Sequence, residues 1–208
     1  MIPESWLEPI AQRWAEMSGW ELVAVILAVT YLLLAVRQNR LCWVAAFIST
    51  AIFTVLFWRV QLLMQSALNG YYMAMAVYGW WHWQHGDEGG EGLRITRWRA
   101  STHVLTVGLI AACALVSGYL LDLHSQAAWP YLDSMVTWGA VITTFMVARK
   151  VLDNWAYWMV INSLAIFLFV DRGMALTALL HVAYLVIAVY GWMSWQRDYR
   201  RQQEAART

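Results

Sequence analysis

One short sequence occurs twice in this chain and decides the fold. The hexapeptide YGWWHW at residues 78–83 returns as YGWMSW at residues 190–195, an offset of 112 residues. Carried back to Arg37, the same offset gives 47 aligned pairs, of which 12 are identical. So many aromatic residues and an arginine in register indicate a duplicated unit. The aligned pairs include Arg37 with Arg149, Trp43 with Trp155, Leu56-Phe57 with Leu168-Phe169, Tyr72 with Tyr184, and the acidic pair Glu21 with Asp133.

The composition is that of a membrane protein. Of 208 residues, 61% are apolar and 13% are charged, whereas soluble domains are about 45–50% apolar and about 25% charged. Too little polar surface remains for a soluble fold, and intrinsic disorder would need low hydrophobicity and high charge. A net charge of +1 gives no support for nucleic-acid binding. Cys42 and Cys113 stand singly in apolar stretches, so we expect neither a disulfide framework nor a metal site on them.

Seven apolar segments are long enough to cross a bilayer, whose hydrocarbon core of about 30 Å needs roughly 17–25 helical residues. The segments are continuously apolar, whereas the strands of a membrane barrel alternate apolar and polar residues. The sequence therefore predicts an all-α integral membrane protein with seven transmembrane helices. The predicted spans are Trp20 to Val36, Leu41 to Trp58, Leu62 to Trp83, Thr102 to Leu121, Leu132 to Ala148, Trp155 to Val170 and Met174 to Trp195.

The repeat makes the first three and the last three spans copies of each other. Both copies take one orientation because the fourth span inverts the chain, which gives a 3+1+3 arrangement with two parallel three-helix repeats. Parallel repeats are a transporter architecture, with the substrate site near the midplane between them. The predicted divisions are an N-terminal amphipathic segment at 1–19, the first repeat at 20–83, a cytoplasmic loop and linker helix at 84–131, the second repeat at 132–196, and a cytoplasmic basic tail at 197–208.

The stretch before the first span has two faces at helical spacing. The pattern fits an amphipathic helix in the membrane interface, and it fits a lid or a locally folded tail equally well. The apolar face carries Trp6, Leu7, Ile10, Trp14 and Met17, and the polar face carries Glu4, Glu8, Gln12, Arg13 and Glu16.

Basic residues predict the orientation. Of the 14 Lys and Arg residues, only Arg13, Arg59 and Arg172 lie on the side of the N-terminus when seven spans are counted. The positive-inside rule then places the N-terminus outside and the C-terminus in the cytoplasm, in a cell inner (plasma) membrane. The other face carries Arg37, Arg40, Arg94, Arg97, Arg99, Arg149, Lys150, Arg197, Arg200, Arg201 and Arg207.

Several motifs of this sequence resemble those of the PnuC family of bacterial vitamin transporters. The resemblance rests on the paired YGWxxW endings, on Trp20-Glu21, and on a second-repeat signature, and it runs from about Trp20 to Trp195. It implies a 3+1+3 relative of the SWEET sugar transporters that carries nicotinamide riboside, thiamine or riboflavin by facilitated diffusion. It also implies that a cytoplasmic kinase traps the substrate, without required contact. The signature comprises Asp133-Ser134, Arg149-Lys150, Asp153-Asn154-Trp155, Trp158 and Asn162.

Aromatic and amide side chains are the candidate binding residues. Trp155, Trp158 and Asn162 are spaced i, i+3 and i+7, so one helical stripe presents two rings and an amide. A flat cationic ring is attracted to aromatic faces by about 0.5–2 kcal/mol, and sugar hydroxyls need polar partners. A tryptophan stripe also serves as packing or as an interfacial belt. The other polar candidates are Asn69, Tyr72, Thr137, His181 and Tyr184, together with Gln65 and Thr143.

Three further expectations concern specificity and the ends of the helices. Asn69 and His181 correspond under the repeat, so we expect them to face each other and to select the vitamin. Glu21 and Asp133 either form an acidic outer mouth or stabilise helix N-termini, and we favour the second role. Four residues at span ends are predicted to be interfacial belt residues: Trp80, Trp83, Trp192 and Trp195.

Other classes of protein fit less well. A retinal protein needs a lysine inside the last span, but the only lysine is Lys150. The five histidines are not at matched depths for haem or metal, and Ser134 beside Asp133 lacks a nearby base, so we expect no enzyme and no cofactor. A receptor that does not transport remains an alternative. We predict a carrier of nicotinamide riboside, with thiamine or riboflavin as alternatives, without ion coupling because no span holds a central carboxylate. A homo-oligomer is compatible with the sequence.

Overall fold

The structure is a computed structural model that describes residues 19–59, 63–86, 93–124 and 129–207. Within these residues the chain is all-helical, with seven helices and no strand longer than one bridge. The predicted N-terminal amphipathic segment, apart from Gly19, lies outside the described residues. The helices are α1 (Gly19–Val36), α2 (Cys42–Arg59), α3 (Leu63–His85), α4 (Ala100–His124), α5 (Pro130–Ala148), α6 (Asn154–Asp171) and α7 (Ala175–Ala205).

The seven helices match the seven predicted spans, and the predicted membrane fold is confirmed. Six of them are long and apolar enough to cross a membrane, and the exception among the described helices is α3. Polar residues such as Gln65, Asn69 and His82 lower the hydropathy of α3. Large apolar side chains on the outside, such as Leu105, suit a lipid environment. The chain is a multi-pass membrane protein.

Helix α7 is longer than the sequence predicted. It has 31 residues, which corresponds to about 46 Å at 1.5 Å per residue, whereas the hydrocarbon core is about 30 Å thick. The apolar span was predicted to end at Trp195, but the helix continues to Ala205. Most of the basic stretch at 197–208 is therefore a rigid extension of α7 and not a separate tail.

Six helices form a closed ring and the fourth helix packs outside it. Around the ring the order is α1, α2, α3, α5, α6, α7, and α7 returns to α1, while α4 packs on α5. The interfaces α3–α5 and α7–α1, which close the ring, are equivalent under the 112-residue offset. The two copies are therefore related by a pseudo-twofold axis through the centre of the ring.

Two equivalent hydrogen bonds show that the copies are parallel. The indole of Trp83 donates to the carbonyl of Val147 at 3.3 Å, and the indole of Trp195 donates to the carbonyl of Ala35 at 3.1 Å. Both acceptors belong to the last turn of the first helix in the opposite repeat. The ends of α1, α3, α5 and α7 thus meet at one end of the bundle, where the rings of Trp83 and Trp195 lie 6.2 Å apart.

The glycine of each YGW motif makes room for a tryptophan of the preceding helix. A Cβ atom on Gly191 would lie 2.7 Å from the ring of Trp155, and one on Gly79 would overlap the ring of Trp43. Each seated indole also packs edge-on against the motif's last tryptophan, at 5.5 Å in both repeats. The repeated hexapeptide therefore encodes one packing unit that is built twice.

Burial contradicts part of the predicted tryptophan belt. Trp83 and Trp195 are only 4% and 0% exposed, so the prediction that they face the membrane interface was wrong. Instead, both rings lie in the contact between the repeats, where each indole donates a hydrogen bond to a backbone carbonyl of the opposite repeat. Trp80 and Trp192 are half-buried.

The corners after α1 and α5 have the same backbone conformation. Gln38 and Lys150, which correspond under the offset, both have positive φ, at 53° and 48°. Gln38 donates to Asp198 at 2.7 Å. The ammonium of Lys150 donates to the carbonyl of Leu93 at 2.8 Å and lies 4.7 Å from the ring centre of Trp83. Burial lowers the pKa of Lys150, and these two contacts stabilise its charged form.

Candidate binding cavity

A cavity of about 340 Å³ lies inside the ring of six helices. Its size is at the lower end of the range of about 300–1,000 Å³ for small-molecule sites. Among the described residues, α4 contributes nothing to it. The lining consists of Ala28, Tyr31 and Leu32 of α1, Trp43, Ala46, Ser49 and Thr50 of α2, Tyr72 of α3, Val136, Ala140 and Thr144 of α5, Trp155, Trp158, Ile161 and Asn162 of α6, and His181, Tyr184, Ile187 and Ala188 of α7.

The lining follows the internal repeat, so the cavity lies on the pseudo-twofold axis. Seven pairs of lining residues correspond under the 112-residue offset. They are Ala28 with Ala140, Leu32 with Thr144, Trp43 with Trp155, Ala46 with Trp158, Ser49 with Ile161, Thr50 with Asn162, and Tyr72 with Tyr184.

Two tryptophans that correspond under the repeat, Trp43 and Trp155, form aromatic walls of the cavity. Both are 2% exposed, and neither indole nitrogen has a hydrogen-bond partner among the described residues. Tyr31 packs against Trp43 with a ring distance of 5.8 Å. Buried indole donors usually find an acceptor, and these two have none among the described residues. The cavity therefore offers aromatic faces on both repeats.

Two side chains of the second repeat bring an amide and an imidazole to the cavity. Asn162 is 4% exposed, and its amide donates to the carbonyl of Trp158 at 2.8 Å. Its Oδ1 accepts no hydrogen bond from the described residues. His181 Nδ1 lies 2.9 Å from the carbonyl of Thr177, so Nδ1 carries the proton and Nε2 is an acceptor. In the first repeat Thr50, which corresponds to Asn162, donates in the same way to the carbonyl of Ala46 at 2.8 Å.

No acidic side chain, lysine or arginine lines the cavity among the described residues. A buried charge is costly without a partner, so a ligand with a phosphate finds no counter-charge here. The arrangement suits a neutral molecule or a flat monocation. Nor do any three His, Cys, Asp or Glu side chains cluster as metal ligands in the described part of the chain.

Six of the eight predicted binding residues line the cavity: Tyr72, Trp155, Trp158, Asn162, His181 and Tyr184. Asn69 and Thr137 are half-buried and lie outside its lining, and the amide of Asn69 donates to the carbonyl of Gln65 at 2.9 Å. Asn69 and His181 therefore do not face each other across this cavity. Substrate binding by all eight stays a prediction.

Sequence reasoning missed much of the first repeat's share of the cavity. Trp43, Tyr31 and Thr50 line it but were not among the predicted site residues. The signal was available, because the offset pairs Trp43 with Trp155 and Thr50 with Asn162. Tyr31 corresponds to the polar candidate Thr143, but Tyr31 lines the cavity and Thr143 does not.

The buried carboxylate of Asp153 fixes the first turn of α6. This helix carries Trp155 and Trp158, the two tryptophans that the second repeat contributes to the cavity. Asp153 accepts from Arg97 at 2.8 Å and from the backbone N–H of Trp98 at 3.3 Å. His103 Nε2 lies 3.4 Å from the same carboxylate, and its Nδ1 lies 3.0 Å from the Tyr157 hydroxyl. The segment before α4 is thus tied to the first turn of α6.

Asp153→Asn is expected to lower the free energy of unfolding by about 1.5–3 kcal/mol, because Arg97 loses its charged, buried partner. This is the contribution of a typical hydrogen bond to a charged group. Thermal unfolding of the purified protein measures the change. Asp122→Asn is the matched control, since Asp122 is exposed on α4. Equal unfolding temperatures for the two variants would show that the Asp153 contacts contribute nothing to stability.

At the other end of the bundle Asp133 lies 3.6 Å from Arg172, and Asp171 accepts from the indole of Trp129 at 2.7 Å. These pairs join the start of α5 to the end of α6. Asp133 is therefore part of an ion pair, and its favoured role at a helix N-terminus stays a prediction.

The comparisons with known proteins cover nearly the whole chain. A family described as nicotinamide mononucleotide transporter matches residues 18–197. The riboflavin/roseoflavin transporter RibM of Streptomyces davaonensis is 25% identical over 205 residues, covering 93% of this chain and 91% of that protein. The nicotinamide riboside transporter PnuC of Escherichia coli is 22% identical over 223 residues, covering 95% and 93%. The crystal structure of the vitamin B3 transporter PnuC has a TM-score of 0.71 at 18% identity, covering 94% and 88% of the two chains, and shows a shared fold.

Proposed function

Because the chain belongs to the nicotinamide mononucleotide transporter family, the PnuC family of vitamin transporters, we propose that it imports nicotinamide riboside by facilitated diffusion. It is a membrane transporter and not an enzyme. The observation that carries the proposal is the cavity on the pseudo-twofold axis, with aromatic walls and no charged side chain among its described lining residues.

The chemistry of nicotinamide riboside fits this lining. Its flat cationic pyridinium ring is stabilised by indole faces, for which Trp155 and Trp158 are candidates, by about 0.5–2 kcal/mol. Its ribose hydroxyls need acceptors, and Asn162 Oδ1 and His181 Nε2 supply them. The tyrosine hydroxyls of Tyr72 and Tyr184 are further partners. A mononucleotide carries a phosphate that this lining does not neutralise, so the proposal favours the nucleoside over the nucleotide.

Basic residues indicate the orientation of the chain in the membrane, and trapping of the substrate would set the direction of net uptake. The corner residues Arg37 and Lys150, and the basic extension of α7, belong to the end of the bundle where α1, α3, α5 and α7 terminate. By the positive-inside rule that end is cytoplasmic, which supports an outside N-terminus in the inner membrane. The described cavity lining has no carboxylate to couple transport to an ion gradient, so a cytoplasmic kinase that phosphorylates the vitamin would sustain uptake.

Riboflavin is the second candidate because one relative, 25% identical over 205 residues, is a riboflavin/roseoflavin transporter. The three fused rings of riboflavin need a longer aromatic slot than a single pyridinium ring. A cavity of about 340 Å³ favours the smaller ligand. Thiamine, a cation with a primary hydroxyl, is the third candidate.

Asn162→Ala is expected to weaken binding of nicotinamide riboside about tenfold or more, because a sugar hydroxyl in a dry site loses an acceptor worth about 1–3 kcal/mol. Calorimetry on the purified protein, titrated with nicotinamide riboside, riboflavin, thiamine and nicotinamide mononucleotide, measures it. Ser163→Ala is the matched control, since Ser163 is the exposed neighbour on the same helix. Binding of riboflavin alone would replace the proposed substrate by the second candidate. If none of the four ligands bound, the assignment of this cavity as the substrate site would be refuted.

A further inference from the structure

A second feature that could bind a ligand lies at the basic end of α7, away from the central cavity. A surface groove runs there along one face of the helix. Among the described residues it is lined by Tyr190, Trp192, Met193, Gln196, Arg197 and Arg200. None of these lines the central cavity, so the groove is separate from the proposed transport site.

The groove changes from apolar to basic along the helix axis. Val186, Tyr190 and Met193 are 64%, 58% and 57% exposed, which suits contact with lipid chains. Arg197 follows Met193 by about 6 Å and Arg200 follows it by about 10 Å, at 1.5 Å per residue. This order of apolar residues, aromatic residues and arginines matches the order of acyl chain, interface and headgroup in one leaflet.

The two arginines of the groove are exposed and form no ion pair with the described residues. The nearby carboxylate of Asp198 is engaged elsewhere, since it accepts from Gln38 at 2.7 Å and lies 3.8 Å from Arg201. Arg97 lies over the ring of Trp192 at 5.8 Å, but its charge is paired with Asp153. The two arginines of the groove therefore carry its positive charge.

One residue that lines the groove, Gln196, has a buried acceptor that lacks a partner among the described residues. Gln196 Oε1 is buried and receives no hydrogen bond from the described residues. An acceptor left unpaired away from water costs free energy, so a ligand of this groove should bring a donor as well as a negative charge. A phosphate alone would satisfy the arginines but not the amide oxygen.

We propose that this groove binds an anionic phospholipid whose headgroup carries hydroxyl donors, of the phosphatidylglycerol type. The phosphate lies between Arg197 and Arg200, whose guanidinium groups donate paired hydrogen bonds to phosphate oxygens. When the side chain of Gln196 turns toward the groove, a glycerol hydroxyl donates to its Oε1, and an acyl chain follows the exposed face toward Val186. The proposal does not depend on which vitamin is transported.

Native mass spectrometry of the purified full chain tests the proposal with phosphatidylglycerol and phosphatidylcholine. The parent protein is expected to retain phosphatidylglycerol in preference to phosphatidylcholine. The double variant Arg197→Gln/Arg200→Gln is expected to lose about fivefold in affinity for each arginine, about 25-fold in all. Arg207→Gln, which removes an exposed arginine outside the groove, is the matched control and should bind like the parent.

Two further arms identify the headgroup. Gln196→Leu should reduce the preference for phosphatidylglycerol over phosphatidic acid, which has the phosphate but not the hydroxyl donors. Inorganic phosphate at equal concentration should not displace the lipid. Equal retention of both lipids by the parent, or an equal loss of affinity in Arg207→Gln and the double variant, would overturn the proposal. Thermal unfolding without added lipid verifies that each variant is folded.

Discussion

Replacing Gly191 by alanine is expected to displace Trp155 and to abolish most ligand binding. Glycine to alanine inside a helix ordinarily stabilises by about 1 kcal/mol. Here the new Cβ would lie 2.7 Å from three ring atoms of Trp155, so overpacking costing about 1–3 kcal/mol reverses the sign. Trp155 also packs edge-on against Trp195 at 5.5 Å. Since Trp155 lines the cavity, we expect the ring to yield into the space that the ligand needs.

Thermal unfolding and calorimetric titration with nicotinamide riboside together measure the effect of Gly191→Ala. Gly108→Ala on α4 is the matched control, because nothing lies within 4 Å of a Cβ added there. We expect the control to keep or gain stability and to bind normally. Gly79→Ala, the counterpart in the first repeat, should act in the same direction through Trp43. If Gly191→Ala bound the ligand like the parent, the packing of Trp155 against Gly191 would not determine the shape of the binding cavity.

The architecture could be predicted from the sequence because each helix of the repeat occurs twice, so the two copies can be compared position by position. Charges at Arg37 and Arg149 marked equivalent corners, and the offset between the YGW motifs set the register of both repeats. Apolar length then located the seven helices. The conformation of the corners was not predictable, because Gln38 and Lys150 adopt positive φ although neither is a glycine.

Which side chains face the cavity was harder to predict. A helix that is apolar on every side gives no periodic signal for its inner face. Trp155, Trp158 and Asn162 were singled out by the resemblance to the PnuC family and by a spacing that places them on one stripe, and all three line the cavity. Thr137 and Asn69 were polar residues at suitable depth, but the rotation of their helices keeps both out of the lining. Trp43 was overlooked although it corresponds to Trp155.

The same limitation applied to the tryptophans at the ends of α3 and α7. Trp81 is 57% exposed, whereas Trp83, two residues later, is 4% exposed. Both lie at the end of the same span, so the sequence gives no sign of this difference, and Trp83 was predicted to be a belt residue. Only the contact between repeats distinguishes them, because the indole of Trp83 reaches the carbonyl of Val147 on α5. Burial at this end is therefore a property of the assembled pair of repeats.

Trp83→Ala is expected to destabilise the protein by about 3–5 kcal/mol, the cost of removing a large buried aromatic ring. The variant loses the edge-on contact with Trp43 at 5.5 Å and the hydrogen bond to Val147. It also removes the ring 4.7 Å from the ammonium of Lys150, which then stays buried with one contact fewer. Because the contacts with Trp43, Val147 and Lys150 are lost together, we expect a lower unfolding temperature and loss of ligand binding.

Trp81→Ala separates these contacts from the general effect of deleting a tryptophan. It removes an equal side chain from the exposed face of the same helix, two residues away, so its unfolding temperature should stay close to that of the parent. Trp195→Ala should also destabilise the protein, because it removes the equivalent edge-on contact with Trp155 and the hydrogen bond to Ala35 at 3.1 Å. If Trp81→Ala destabilised as much as Trp83→Ala, the contact between repeats would not be what holds this end of the bundle closed.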